Sequence, residues 1–364
     1  MFIELHIIQS FGPTNLNRDE DGNPKDCDFG GVRRARISSQ CLKRSIRRNP
    51  AFTRMTGVPN GMRTKRMAEE IHDYLIDGGM AEEEALQLGN QFAQAYAKKT
   101  EKSKEGKSEE TNVLVYISPA EFQAAAEGLL AGKSAIELAA QLVKDTKGRT
   151  SAPDIALFGR MLADSPATNL DAAVQVAHAF STHRVDTEYD FFTAVDDLKP
   201  TDDPGAGMMG SIGYNSACYY RYARLDWNQL LANLGGDADL ACRTVKAFLL
   251  SSLEANPTGM QNSHDNQTPP ALVMAVVREH GGGWSLANAF EAPVTAAREG
   301  GVIAPSVERL VDAYQFLAQN LEGDQVNPIL LALQPGLPLK ELEAYRVTGS
   351  QAWADAVLAG CIQG

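Results

Sequence analysis

Forty consecutive residues, 29 to 68, hold eleven cations and no carboxylate, and nothing else in the chain restricts its fold as strongly. The cations are Arg33, Arg34, Arg36, Lys43, Arg44, Arg47, Arg48, Arg54, Arg63, Lys65 and Arg66. The full 364 residues contain 34 Lys+Arg against 46 Asp+Glu, a net charge of -12. Setting the eleven aside leaves 23 basic residues against 46 acidic ones, so a stretch of +11 opposes a remainder of -23. Charge segregated in this way predicts a localised surface for a polyanion on a body that repels polyanions elsewhere. The competing reading is a basic face neutralised by the protein's own carboxylates.

The stretch has local structure of its own. Val32 to Arg36 reads as a strand after Gly30-Gly31, and Ser38 or Ser39 is a suitable N-cap for a helix that follows. At about 100° per residue Leu42 and Ile46 lie about 40° apart, while Gln40, Lys43, Arg44, Arg47 and Arg48 fall on the far side. The spacing predicts a helix with an apolar stripe and a wholly basic outer face. Lys43/Arg47 and Arg44/Arg48 are like-charge i,i+4 pairs that repel on an ordinary surface helix, and bound phosphates relieve that repulsion.

The rest of the chain frames this segment. Residues 2–8 read as an opening strand, and 15–28 as a polar loop. Helical spacing covers 64–76, 81–97, 119–130, 135–143, 171–180, 237–254, 307–319 and 339–358. Residues 98–111 read as a solvated, mobile loop without a site. Residues 189–198 and 214–222 read as two arms of a hairpin with a Gly/Pro/Met tip at 202–213, and 272–277 as a buried strand. This order favours a sheet with helices packed on it and a helical lobe at about 60–175. Hydrophobic content of 44% excludes wholesale disorder. No apolar run approaches the roughly 20 residues of a membrane span. Met1-Phe2-Ile3-Glu4-Leu5 lacks the features of an export signal, so the expected location is the cytoplasm. Five scattered cysteines, without a CxxC pair, argue against a disulfide framework and a zinc site.

The densest constellation is Asn17-Arg18-Asp19, Lys25-Asp26 and the run Gly30-Gly31-Val32-Arg33-Arg34-Ala35-Arg36-Ile37-Ser38-Ser39-Gln40-Cys41-Leu42-Lys43-Arg44. Guanidinium forks and ammonium groups match phosphate oxygens, and the helix start adds hydroxyl and N–H donors. Glycines permit close approach of a backbone. Such a surface binds a phosphate backbone without reading bases.

These residues resemble the CasC (Cse4) family, the backbone subunit of the type I-E CRISPR surveillance complex Cascade. Further matches follow in order: Ile155-Ala156-Leu157-Phe158-Gly159-Arg160-Met161, Ala177-His178-Ala179-Phe180-Ser181-Thr182-His183 with Val185-Asp186, Phe191-Phe192-Thr193-Ala194-Val195-Asp196-Asp197-Leu198, and Ser285-Leu286-Ala287-Asn288-Ala289-Phe290-Glu291. The resemblance runs from the first strand to at least Glu291. The family's basic residues near Met260 and 295–297 are partly absent, leaving Arg298.

The resemblance implies an α+β fold shaped like a right hand. Its RRM-like (ferredoxin-like) palm takes residues 1–58, 177–184 and 215–364, a helical fingers insertion takes 59–176, and a β-hairpin thumb takes 185–214. It implies several copies stacked on a CRISPR RNA, with other Cascade subunits, target DNA paired to the guide and a recruited helicase-nuclease as partners. By motif position Asn17, Arg18, Lys25, Arg34, Arg36, Ser38, Ser39, Gln40, Lys43, Arg44 and Arg47 hold the RNA backbone. Met161, Phe192 and Thr193 wedge around a displaced nucleotide. A guide held by its backbone keeps its bases free for pairing, and apolar wedges stack on any base.

Other readings stand beside these. By type alone Met161 is a core filler, and of Phe191 and Phe192 one points inward. His178 and His183, five apart, read as buried or capping histidines and not as metal ligands. His183 with Asp186, Asp190, Asp196 and Asp197 is the alternative: a metal-dependent ribonuclease cutting guide-paired RNA. Carboxylates on a hairpin are usually only solvated, and no hydrolase or P-loop motif is present. The expectation is a scaffold with no catalytic site, metal or cofactor.

Overall fold

The computed structural model describes residues 1–97, 99–103, 108–162, 166–194, 198, 208–280, 282–298, 301–321 and 327–362. Over these residues the chain is a mixed α/β protein built on a large antiparallel sheet. It divides into two compact units: Met1–Asn49, Val176–Arg224 and Phe248–Gly364 form the first, Pro50–Gln175 and Leu225–Ala247 the second.

The first unit carries strands β1 (Phe2–Thr14), β2 (Asp26–Phe29), β3 (Val32–Ile37), β4 (Ala179–Ser181), β5 (Glu188–Ala194), β6 (Met208–Asp226), β7 (Leu272–Arg278) and β8 (Ile329–Ala332). They run in the order β8-β7-β1-β6-β4-β3-β2, with β5 paired to β6. β1 lies antiparallel to β7, Leu5 opposite Ala275. β2 and β3 are joined by Gly30-Gly31, both at positive φ (61° and 75°), the conformation that a two-residue hairpin turn requires. Side chains alternate across the sheet. Ala217 and Tyr219 of β6 join Ala35, Ile37 and Leu42 in one core, while Cys218 and Tyr220 join Val307, Leu310 and Tyr314 in the other. The first core holds the basic helix Ser39–Arg48; the second holds the helix Ile303–Asn320. Trp353 of the helix Ser350–Ile362 is buried and donates its indole N–H to the Ile329 carbonyl at 3.0 Å.

In the second unit the helices Met67–Asp77, Glu82–Ala97, Pro119–Leu130 and Ala135–Asp145 enclose a core of Ile71, Leu75, Phe92, Phe122, Leu129 and Leu142. Ser118 and Glu121 form a capping box at the start of the third helix. Arg160 and Glu121 make a buried ion pair at 3.1 Å.

Several local expectations are corrected. Residues 171–180 form no helix: Ala179–Ser181 is the sheet strand β4, with Phe180 between Arg36 of β3 and Tyr220 of β6. Pairing to distant strands overrides the helical spacing. Met62–Thr64 is a short strand against Val115–Ile117, so the helix begins at Met67 instead of 64. Thr100–Lys102 pairs with Glu109–Thr111 where a structureless loop is expected. The span 339–358 splits into a 3₁₀ turn, Lys340–Tyr345, and the helix from Ser350, separated by Gly349 at φ 91°.

Candidate nucleic-acid interface

The basic helix is set by its first residues. Ser38 is the N-cap, at φ -68° and ψ 148°, and its hydroxyl accepts from Cys41 N–H at 3.3 Å. Its own N–H donates to the Asn17 side-chain oxygen at 2.9 Å, so Asn17 anchors the helix start to the polar loop. Leu42 and Ile46 are buried, Lys43 and Arg47 half-buried, and Gln40, Arg44 and Arg48 exposed. Arg47 and Arg48 occupy the last turn, where cations complement the helix dipole. Arg44 makes no ion pair among the described residues.

The loop before β2 lies alongside. The Asp19 carboxylate accepts from the N–H groups of Asp21 (3.0 Å) and Asn23 (2.8 Å), closing a turn that exposes Arg18. Lys25 N–H donates to the Asn17 carbonyl at 2.8 Å, and Arg36 N–H to the Lys25 carbonyl at 2.9 Å. Asn17, Arg18, Lys25, Arg36 and the helix start therefore share one region of the first unit. Asn17, Arg18, Cys41 and Arg44, together with the acidic Asp19 and Glu20, line a cavity of about 530 Å³ there.

Arg34 departs from the expected set. It is fully buried and donates to four carbonyls: Phe29 (3.2 Å), Ser181 (3.1 Å), Phe290 (2.9 Å) and Glu291 (3.1 Å). A guanidinium committed in this way, without exposure, holds the β2–β3 hairpin against the Phe290–Glu291 backbone and does not reach a ligand. The same junction requires Gly30, since a Cβ there would meet the Glu291 carbonyl oxygen at 1.7 Å. Ser38 is also buried, and its hydroxyl caps the helix; Ser39 is half-buried at its start.

The basic run is not a single face. Arg33 pairs with Asp26 (3.2 Å) and Asp28 (3.7 Å). In the second unit Lys65 pairs with Glu101 (4.0 Å), and Arg66 with Glu69 (3.6 Å) and Glu110 (3.9 Å). Arg63 stacks on the Tyr116 ring at 4.6 Å. Neutralisation by the protein's own groups thus holds for these cations; the sequence of the Ser39–Arg48 helix itself contains no acidic residue.

Met161 is 85% exposed, which is not the state of a core filler. It follows Arg160, which pairs with Glu121 inside, and Gly159, whose φ is 78°. In the hairpin of the first unit Phe192 lies opposite Gly210 and is half-buried across it, while Phe191 is 66% exposed and Thr193 is exposed. Of the alternative nuclease set, Asp186 pairs with Arg184 at 3.2 Å, and His183 Nε2 accepts from Cys218 N–H at 3.1 Å. Asp196 and Asp197 lie outside the described residues. Among the described residues no cluster of three or more His, Cys, Asp or Glu is arranged to hold a metal ion. No helix among them is long and apolar enough to cross a membrane.

The reading of His178 as a buried or capping histidine is corrected. It is exposed, and Nη1 of Arg36 donates to its Nδ1 at 3.0 Å. It lies just before β4, and its place beside Arg36 depends on the pairing of β4 with β3, residues far apart in sequence, which no local signal carries.

The family described as "CT1975-like protein" matches residues 3–348. The chain belongs to this family, the CasC-like family that its ordered motifs resemble. It is similar to a solved chain of a "CRISPR RNA-guided surveillance complex, pre-nicking", with 31% identity, a TM-score of 0.86 and 99% of each chain covered. It is similar also to a chain of a "CRISPR RNA-guided surveillance complex", with 27% identity and a TM-score of 0.76 over 99% of this chain and 100% of that one. No curated protein matches it.

Proposed function

We propose that this chain is the non-catalytic backbone subunit of a type I-E Cascade complex in the cytoplasm. Several copies polymerise along a CRISPR RNA, hold its phosphates and leave the spacer bases free for target DNA. Residues 1–58, 177–184 and 215–364 act as an RRM-like palm, 59–176 as fingers and 185–214 as the thumb. Other Cascade subunits and a recruited helicase-nuclease complete the assembly. The observation that carries this reading is the Ser39–Arg48 helix: capped by Ser38, anchored through Asn17, and basic over its whole outer face. Asn17, Arg18, Lys25, Arg36, Ser39, Gln40, Lys43, Arg44 and Arg47 are the proposed RNA-holding residues, with Ser38 shaping the helix start. Met161, Phe192 and Thr193 are the proposed wedge, and the exposure of Met161 suits stacking on a base.

Affinity purification from cells expressing the full set of subunits tests the proposal. The expected result is a short RNA of uniform length in the eluate and an absorbance ratio dominated by 260 nm; protein free of RNA contradicts it. Incubating the assembly with complementary RNA and Mg²⁺ is expected to give no cuts. Regularly spaced cuts abolished by Asp196→Ala would instead establish the ribonuclease.

A further inference from the structure

Arg36, Lys25 and His178 converge beside the basic helix, and the hydrogen bond between two of them fixes a chemical state. A guanidinium has donors only, so the Nδ1 of His178 that meets Arg36 Nη1 at 3.0 Å is an unprotonated acceptor. The imidazole is therefore neutral, with its proton on Nε2. Arg36 Nε is spent on the Asp26 carbonyl at 3.0 Å, which holds the fork in place. The charged groups acting on His178 are Arg36 on β3 and Lys25 in the loop before β2, both cations. The nearby Asp26 carboxylate is engaged by Arg33 at 3.2 Å. Partial desolvation of one side of the ring first, then Arg36, then Lys25 hold the imidazole below its ordinary pKa.

The geometry points to Lys25, Arg36 and His178 as one seat for a phosphate of the bound strand, with His178 as a further RNA contact that gains a proton when the seat is filled. This inference rests on the RNA-holding function proposed above. A phosphate placed between the three groups offsets the two cations that keep the ring neutral, so a solvent proton adds at Nδ1. Nδ1 then becomes a donor and no longer accepts from Arg36. Arg36 Nη1 and the imidazolium both turn their N–H groups to phosphate oxygens. The sign follows from linkage: the bound state holds more protons than the free state, so affinity rises as pH falls.

Full-length protein is titrated with a fluorescent single-stranded RNA of mixed sequence at pH 8 and pH 5.5, beside His178→Gln. His264→Gln serves as a control for the other histidines. Wild type and H264Q are expected to bind roughly 3-fold to 10-fold tighter at the lower pH, and H178Q to change by less than about half of that. The slope of log affinity against log salt is expected to steepen by up to about 0.7 at pH 5.5 in wild type and H264Q but not in H178Q, because only a protonated His178 ring replaces a counterion. A structural role for His178 moves neither slope. RNA binding with the same pH dependence in wild type and H178Q overturns the inference and leaves the RNA-holding function standing. Absence of RNA binding at both pH values overturns both.

Discussion

At the scale of single residues, the chemistry of a side chain and its burial separate ligand contacts from scaffold. Arg34 and Arg36 are two apart in β3 and share a face, yet Arg34 is buried on four carbonyls whereas Arg36 reaches His178. The motif places both in the RNA-holding set, because the cover over Arg34 comes from residues 290–291, more than 250 positions away. An ammonium cannot span the same acceptors as a planar fork. Arg34→Lys is therefore expected to cost about 3 kcal/mol in urea unfolding, with an unchanged salt slope of RNA binding in the folded protein. An unchanged unfolding midpoint would return Arg34 to the surface. Met161 shows the reverse case: its residue type suggests core, the motif suggests exposure, and it is 85% exposed.

At the scale of elements, legibility follows the range of the interactions that build them. The basic helix was readable, since cap, apolar stripe and cationic face all lie within eleven residues, and Ser39–Arg48 with Ser38 as cap agrees with that reading. The helices 119–130 and 135–143 were readable for the same reason and are found at Pro119–Leu130 and Ala135–Asp145. Residues 171–180 were not, because β4 is a strand only by virtue of partners at Arg36 and Tyr220. The hairpin was legible as two arms, but its returning strand begins at Met208, earlier than 214. The cap carries a prediction. Ser38→Ala removes one side-chain acceptor from the helix start and is expected to cost about 1 kcal/mol of stability, read by thermal or urea unfolding. A value near zero would mean that packing of Leu42 and Ile46 alone fixes the helix.

At the scale of the whole molecule, the chain carries a net charge of -12, and its stability depends on groups kept neutral inside. Buried Tyr220 receives the Leu286 N–H at 2.9 Å, and its hydroxyl is hydrogen-bonded to His6 Nδ1 at 3.0 Å. Burial pushes the His6 pKa down to about 4. The unfolded chain protonates this histidine near 6.5 while the folded chain does not, so stability is lost as pH falls from 6.5 toward 4. Between pH 7 and pH 5 the loss attributable to His6 is about 2 kcal/mol. Urea midpoints of wild type are expected to fall over this range, and those of His6→Asn to fall less; parallel curves would remove His6 from the account. Phosphate binding by the basic helix is best probed at Arg44, which is exposed and makes no ion pair among the described residues. Affinities of wild type and Arg44→Ala for several unrelated single-stranded RNAs, measured across a salt series, are expected to drop by the same factor for every sequence. The salt slope should flatten by about 0.7. A loss confined to some sequences, or an unchanged slope, would contradict a helix that holds RNA by its phosphates.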